Sequence, residues 1–216
     1  MYLNTKLKCF SNDKKPNSIA IDLILKENAQ KWLSQQNQYI QNFTNNNHFG
    51  KNTDLLKIFN TSTGAIEKVV CLVTEDMYSI ANLANELVDG DYHIEYSDIE
   101  NISLYYIAFA MGAYKFDKYK SKPKANNISL YLPKKYKNIL AEVEATYLVR
   151  DMITTPAEDM GPEDISSVVK QLAKEFDGSI EELIGEELRE NGYMGIYTVG
   201  KGSHREPRLV KLSWGN

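Results

Sequence analysis

The run Ile19 to Leu25, I-A-I-D-L-I-L, constrains the fold more than any other segment. It is far shorter than the roughly 18 apolar residues that cross a membrane, and it suits a strand buried inside a sheet. Leu55 to Asn60 and Val69 to Thr74 read as further strands, with the turn signal T-S-T-G between them. Tyr92 to Tyr96 and Ile128 to Leu132 complete the set. Between them lie stretches of helical character. Asn28 to Phe43 is polar and Gln-rich, a helix or a loosely ordered insertion, and the loop-forming N-N-N-H-F-G-K-N follows it. Met77 to Val88 reads as a helix, and Ile99, Ile102, Tyr106 and Phe109 recur at three- and four-residue steps that put them on one helical face. Strands alternating with crossover helices predict a mainly parallel sheet with helices on both faces. The expectation is a three-layer α/β domain over residues 1–133.

Tyr136 to Thr154 reads as a long helix with Leu140, Val143 and Tyr147 on one face, so residues 134–155 form a linker helix. Pro156 ends it, because the residue before proline is pushed out of the helical region. A second helix starts at Gly161-Pro162, where Glu163 and Asp164 suit the positive helix end. Ile165, Val168, Val169, Leu172, Ala173 and Phe176 give it an apolar stripe that needs a partner surface. After it come two strands, Glu182 to Ile184 and Arg208 to Trp214, around a short helix. Two strands rarely close a sheet alone. Residues 156–216 are therefore expected to be the incomplete start of a second α/β unit.

Composition narrows the function classes. The net charge of −4 gives no global attraction to nucleic acid or an anionic membrane. Cys9 and Cys71 are too few for a disulfide scaffold and sit beside apolar residues, which predicts buried thiols in a reducing compartment. Met1 to Ser11 lacks the apolar core of a secretory peptide, so the expected location is the cytoplasm.

Few residues offer chemistry. G-I-Y-T-V-G-K-G (Gly195 to Gly202) nearly matches a phosphate-cradling loop, but Gly202 stands where that loop has its hydroxyl, and a glycine turn is the preferred reading. His48, His93 and His204 have none of the i, i+4 spacing of a helical metal site and are read as surface or packing residues. Glu181, Glu182, Glu186, Glu187 and Glu190 are read as a solvated helix face, since no calcium-loop spacing supports them. Lys115, Lys118, Lys120, Lys122, Lys124, Lys134, Lys135 and Lys137 are interleaved with Tyr114, Phe116, Tyr119, Tyr131 and Tyr136. Lysines with aromatics can hold nucleic-acid backbone and stack bases, but lysines around an edge strand also guard against aggregation. Nucleic acid is the disfavoured partner.

Several motifs in the second half point to one family. E-A-T-Y-L-V-R-D-M-I-T-T-P-A-E-D-M-G-P (Glu144 to Pro162), I-G-E-E-L (Ile184 to Leu188), G-I-Y-T-V-G-K-G-S (Gly195 to Ser203) and P-R-L-V-K-L-S-W-G (Pro207 to Gly215) resemble, in order and spacing, the leucine aminopeptidase family of dinuclear-metal exopeptidases. A-M-G-A-Y-K-F-D-K-Y-K (Ala110 to Lys120) is similar to the family segment that ends a helix of its N-terminal domain. The family usually has Asn where this chain has Thr154, and commonly Asn where it has Glu158.

The resemblance implies two divalent metal ions, manganese or zinc, bridging an activated water that attacks the first peptide carbonyl and releases the N-terminal residue. It also implies peptide substrates and a homohexamer with N-terminal domains at the periphery. The family's ligands sit in motifs of the types K-G-(x)n-F-D-(S/T)-G-G, K-x-D-M and N-T-D-A-E-G-R. None occurs in these 216 residues. No catalytic or metal residue is carried over, and no metal is expected to bind this chain specifically.

The expected reading is thus a truncated aminopeptidase, inactive by itself, with an exposed edge strand at Arg208 to Trp214 and an exposed stripe from Ile165 to Phe176. The alternative is a catalytically silent module that binds a small ligand at the carboxyl ends of its parallel strands, or assembles through the Lys-rich segment 115–137. In that alternative, changing Lys134 and Lys135 to Glu abolishes capture of the assembly partner in a pull-down, and unchanged capture rules out that surface.

Overall fold

The computed structural model describes residues 7–122 and 127–215. The chain divides into two compact units, one running up to Ala145 and the other beginning at Thr146. Among the described residues there are eight α-helices, a six-stranded sheet and a two-stranded sheet.

The first unit is organised around Ile19–Leu25, strand β2, as its sequence predicts. Five other strands complete its sheet: β1 (Phe10–Ser11), β3 (Leu55–Phe59), β4 (Ile66–Val73), β5 (Gly90–Ser97) and β6 (Ile128–Tyr131). Their order is β1-β6-β5-β2-β4-β3, parallel except for the antiparallel edge strand β3. Successive residues of β2 and β4 are all buried, Ile21 to Ile24 and Val69 to Val73. Side chains alternate between faces along a strand, so unbroken burial means that both faces of the sheet centre are covered.

On one face, α1 (Ala29–Ser34) and α2 (Gln38–Asn46) bring Trp32, Leu33, Ile40 and Phe43 against Ile24, Leu56, Ile58, Val70 and Leu72. The Gln-rich stretch is therefore two short helices, with Asn37 capping the second through the Ile40 amide at 2.9 Å.

Two expectations for the next segment are corrected. Met77 to Val88 is not one helix but a 3-10 turn, Met77–Ile80, followed by a single helical turn α3, Leu83–Glu86. The reason lies in α4, Ile102–Ala113. Gly112 of that helix meets the Ala81 backbone so closely that a Cβ built on it would lie 1.6 Å from the Ala81 carbonyl oxygen. The chain breaks between the two turns where α4 presses on it. Ile99 lies before α4, and burial of the helix is not confined to one face: Tyr105, Tyr106, Ile107, Ala108, Phe109 and Ala110 are all buried. A helix covered on all sides belongs to an interior. Tyr105 places its hydroxyl on the Thr74 carbonyl beyond β4, and Phe10 of β1 packs edge-on to Tyr106 at 6.2 Å.

Helix α5 covers Ile139–Thr154, and the divide between the two units falls within it. In the second unit, α6 spans Pro162–Glu175 with proline in its first turn and Asp164 accepting a hydrogen bond from the Gly161 amide at 2.9 Å. Strands β7 (Ser179–Ile184) and β8 (Arg208–Ser213) pair antiparallel, with α7 (Glu186–Glu190) and α8 (Met194–Gly200) between them. Gly195 to Gly200 is thus helical, not a glycine turn. Gly200 is required for its contact with Pro207, since a Cβ there would sit 2.2 Å from the proline ring. No described helix is long and apolar enough to cross a membrane.

The α4 contact generates a test. Gly112→Ala forces a methyl group into the Ala81 backbone, and such overpacking costs about 1–3 kcal/mol. Urea denaturation is expected to show a loss of that size, and an unchanged midpoint would mean that α4 does not press on the chain at Ala81.

Candidate functional site

In the second unit, Glu182 of β7 is the point where three elements meet. Its carboxylate accepts hydrogen bonds from Ser166 and Lys170 of α6 and from Arg208 Nη1 of β8 at 2.9 Å. Lys170 first, then Ser166 and Arg208, hold the carboxyl down at about 2, against the partial burial that opposes its ionisation. Glu182 therefore stays charged and fastens α6 to both strands. This corrects the reading of the acidic cluster as one solvated helix face. Glu181 and Glu182 lie on a strand, with Glu181 paired to Lys211 at 3.1 Å, while Glu186, Glu187 and Glu190 are on α7.

Beside this hub, α6, α8 and β8 enclose an apolar groove of about 710 Å³, lined by Ile165, Val169, Ile196, Val199, Pro207 and Val210 among others. Arg205 closes one end, donating to the carbonyls of Ala157 (2.7 Å) and Glu158 (2.5 Å). Glu158, where the family commonly has Asn, enters this contact through its backbone. Exposed apolar side chains are frequent elsewhere in this unit as well. Among the described residues, ten of the seventeen exposed large apolar side chains lie beyond Thr146, including Val199 at 85%, Ile153 at 78% and Trp214 at 74%.

In the first unit, sequence reasoning missed a constellation around His93. The ring is buried, its Nδ1 is 2.9 Å from Ser18 Oγ, and its Nε2 is 2.8 Å from Glu95 Oε2. The order Ser–His–carboxylate resembles a hydrolytic triad, but the hydroxyl is not prepared as a nucleophile. The Lys15 carbonyl, 2.7 Å from Ser18 Oγ, competes with the ring for the single hydroxyl proton. The only sequence signal was the i, i+2 spacing of His93 and Glu95 along a strand.

The carboxyl ends of the parallel strands carry two hollows of about 400 and 460 Å³, sharing Lys26 and Thr74. Lys26 is paired with Asp54 there at 2.7 Å. The crevice between β2 and β5, where connections leave in opposite directions, is bridged by Asp98, which accepts from the Leu25 amide at 2.9 Å and from Asn28 at 2.8 Å. Ligands commonly enter such crevices, but here a side chain of the chain itself occupies this position.

The remaining candidates are dispersed. His48 sits in a tight turn with φ of 52°, and His204 is exposed. Cys9 and Cys71 are buried and free, and burial, with Glu86 and Asp54 adding to it, pushes the Cys71 thiol up to about 12. In the Lys-rich segment, Lys120 pairs with Asp117 at 2.7 Å, Lys118 lies over Tyr119 and Lys135 over Tyr136, whose ring packs on Tyr106 at 5.5 Å. Those aromatics are engaged within the chain, and Lys124 lies outside the described residues. Among the described residues no three His, Cys, Asp or Glu side chains converge so that they could hold a metal ion. The donor set here does not fit a dinuclear metal centre.

Residues 19–133 match the family model described as M17 aminopeptidase, N-terminal domain, and residues 147–216 match that of the cytosol aminopeptidase family, catalytic domain. The chain belongs to the M17 cytosol aminopeptidase family. A probable cytosol aminopeptidase of Rhodococcus opacus is 34% identical over 122 residues, which are 49% of this chain and 24% of that protein. Among solved structures, the cytosol aminopeptidase of Coxiella burnetii superimposes with a TM-score of 0.85 at 31% identity, covering 96% of this chain and 46% of that one. The bottromycin maturation enzyme BotP, solved in complex with Mn, shares the fold with a TM-score of 0.65 at 18% identity, covering 92% of this chain and 45% of that one. The chain thus spans just under half the length of each of these two solved chains.

The Glu182 hub sets a pH dependence for this part of the M17 chain. Its folded pKa of about 2 lies below the ordinary 4.5, so its contribution is complete above pH 4.5 and lost as the pH falls toward 2. Urea midpoints measured across that interval are expected to fall more steeply for the wild type than for Glu182→Gln, and parallel curves would remove the hub from the account.

Proposed function

We propose that this chain is the N-terminal domain and the opening of the catalytic domain of a metallo-exopeptidase that releases N-terminal amino acids from peptides. The observation that carries the reading is the succession of two family matches, N-terminal domain then catalytic domain, along one chain. In this reading residues 1–133 are the N-terminal domain, 134–155 the linker helix and 156–216 the start of the catalytic domain. The enzyme works in the cytoplasm, as the names of its relatives suggest, and assembles as a hexamer. Two divalent ions, manganese or zinc, serve it, a reading supported by the manganese complex of BotP.

In this reading the chemistry belongs to ligand motifs of the types K-x-D-M and N-T-D-A-E-G-R, none of which occurs in these 216 residues. What this chain contributes is a platform. Glu182 fixes α6 against β7 and β8, and the apolar groove beside it presents Ile165, Val169, Ile196 and Val199 to the rest of the catalytic domain. The bare apolar surface beyond Thr146 supports that role.

The test is an exopeptidase assay. Supplied with Mn²⁺ or Zn²⁺ and a leucyl-anilide substrate, the 216-residue chain is expected to release no product. A chimera that continues it with the second half of the Coxiella burnetii enzyme is expected to release product only when metal is present. Metal-dependent turnover by the 216-residue chain alone, or a folded chimera without turnover, would overturn the assignment.

A further inference from the structure

The constellation around His93 has a hydrogen-bond arithmetic that depends on one proton. The segment between β1 and β2 is held to β5 at three places. Lys14 pairs with Glu95 at 3.2 Å, Lys15 pairs with Asp91 at 2.9 Å, and Ser18 meets His93. The two lysine pairs are exposed or half-exposed, and such pairs contribute little. The Ser18–His93–Glu95 chain differs, because the imidazole at its centre is buried.

With the imidazole protonated, both ring nitrogens donate. Nδ1–H goes to Ser18 Oγ, Nε2–H goes to Glu95, and the Ser18 hydroxyl remains free to donate to the Lys15 carbonyl, so all three bonds coexist. With the imidazole neutral, one bond must be given up. If Nε2 keeps its hydrogen, Ser18 has one hydrogen to offer and must choose between Nδ1 and the Lys15 carbonyl. If Nδ1 keeps it, a bare Nε2 lone pair faces the Glu95 carboxylate at 2.8 Å. The other charged groups around the ring are Lys14 and Lys15 of the preceding segment and Asp91 and Glu95 of β5, while Asp22 of β2 and Lys68 of β4 are paired with each other at 3.0 Å.

We propose that Ser18, His93 and Glu95 form a proton-controlled fastening of the β1–β2 segment onto β5. The fastening is complete when His93 carries its second proton and is weakened when it loses it. The Lys15–Ser18 turn, closed by the Ser18 amide on the Lys15 carbonyl at 3.1 Å, is the element that loosens. The consequence reaches β1, a two-residue edge strand paired with β6 through Phe10 and Ser11 and held by the Cys9 and Ser11 carbonyls, which accept from the Leu130 and Leu132 amides at 2.8 and 3.0 Å. Loosening its connection favours uncovering the edge of β6, an unpaired row of backbone groups open to another strand.

Hydrogen exchange on the 216-residue chain tests this. After correction for the intrinsic pH dependence of exchange, the protection of the Ser18 amide is expected to fall about threefold to tenfold between about pH 5.5 and pH 8, the loss of roughly one neutral hydrogen bond. Ser18→Ala, which lacks the hydroxyl that joins the ring to the turn, is expected to show no such fall. Equal protection of the wild type at both pH values, or the same fall in Ser18→Ala, overturns the proposal. The nitrogen-15 shifts of the His93 ring read the switch without any substitution. Two protonated nitrogens are expected while the turn is protected and one after it loosens, and a ring that stays neutral throughout overturns the proposal as well.

Discussion

The first unit depends on β2 being paired in parallel on both sides, with β4 at one edge and β5 at the other. That position buries every residue from Ile21 to Ile24, including the carboxylate of Asp22, which is only 2% exposed. A buried carboxylate is costly unless it is paired and hydrogen-bonded. Lys68 of β4 supplies the charge at 3.0 Å, and Trp32 of α1 supplies an indole N–H at 3.3 Å. Oδ1 finds no hydrogen-bond partner among the described residues. Through Trp32 the carboxylate also fixes where α1 lies, and the cluster of Ile24, Leu56, Val70 and Leu72 forms around that indole. One polar residue inside an apolar strand thereby sets the position of the layer that covers it.

Glu182 plays a comparable part in the second unit, but with a different outcome. It ties α6, β7 and β8 together through three donors, yet the two strands form a sheet with no further partner among the described residues. A two-stranded ribbon with one packed helix leaves apolar surface that it cannot cover from its own residues. The groove between α6 and α8 and the exposed Val199 and Trp214 are that surface. The family reading accounts for it physically, because this chain covers only 46% of the Coxiella burnetii aminopeptidase, and a catalytic domain of that kind has further residues with which to fill the groove.

Local pattern made much of this legible before any coordinates. Ile19–Leu25 is a strand because a continuous apolar run bounded by polar residues has few other solutions, and Gly161-Pro162 starts a helix because proline fits its first turn. What escaped the sequence depends on tertiary approach. The break in Met77 to Val88 is imposed by Gly112, some thirty residues away. Gly195 to Gly200 is helical, and its last glycine admits the Pro207 ring, a contact that no local glycine rule contains. His93 looked like an ordinary strand residue because Ser18 lies 75 positions earlier. Glu182 was read as solvated because its partners Ser166, Lys170 and Arg208 flank it at distances that only the folded unit brings together.

The two units therefore solve the same problem to different degrees. In the first, the buried charge and the apolar strands around it are covered by helices from the same stretch of chain, and the face that binds ligands in many α/β domains is bridged by Asp98. Its polar groups are largely engaged with one another, which suits a supporting role more than a chemical one. In the second, the charged hub is complete while the apolar surface is not. Hydrophobic burial scales with area and is non-directional, so the groove alone would accept any apolar chain that fits. The hub restricts that freedom. By holding α6 and β8 at fixed positions, Glu182 gives the groove a defined shape, and shape allows an apolar surface to select one complementary segment over adventitious contacts.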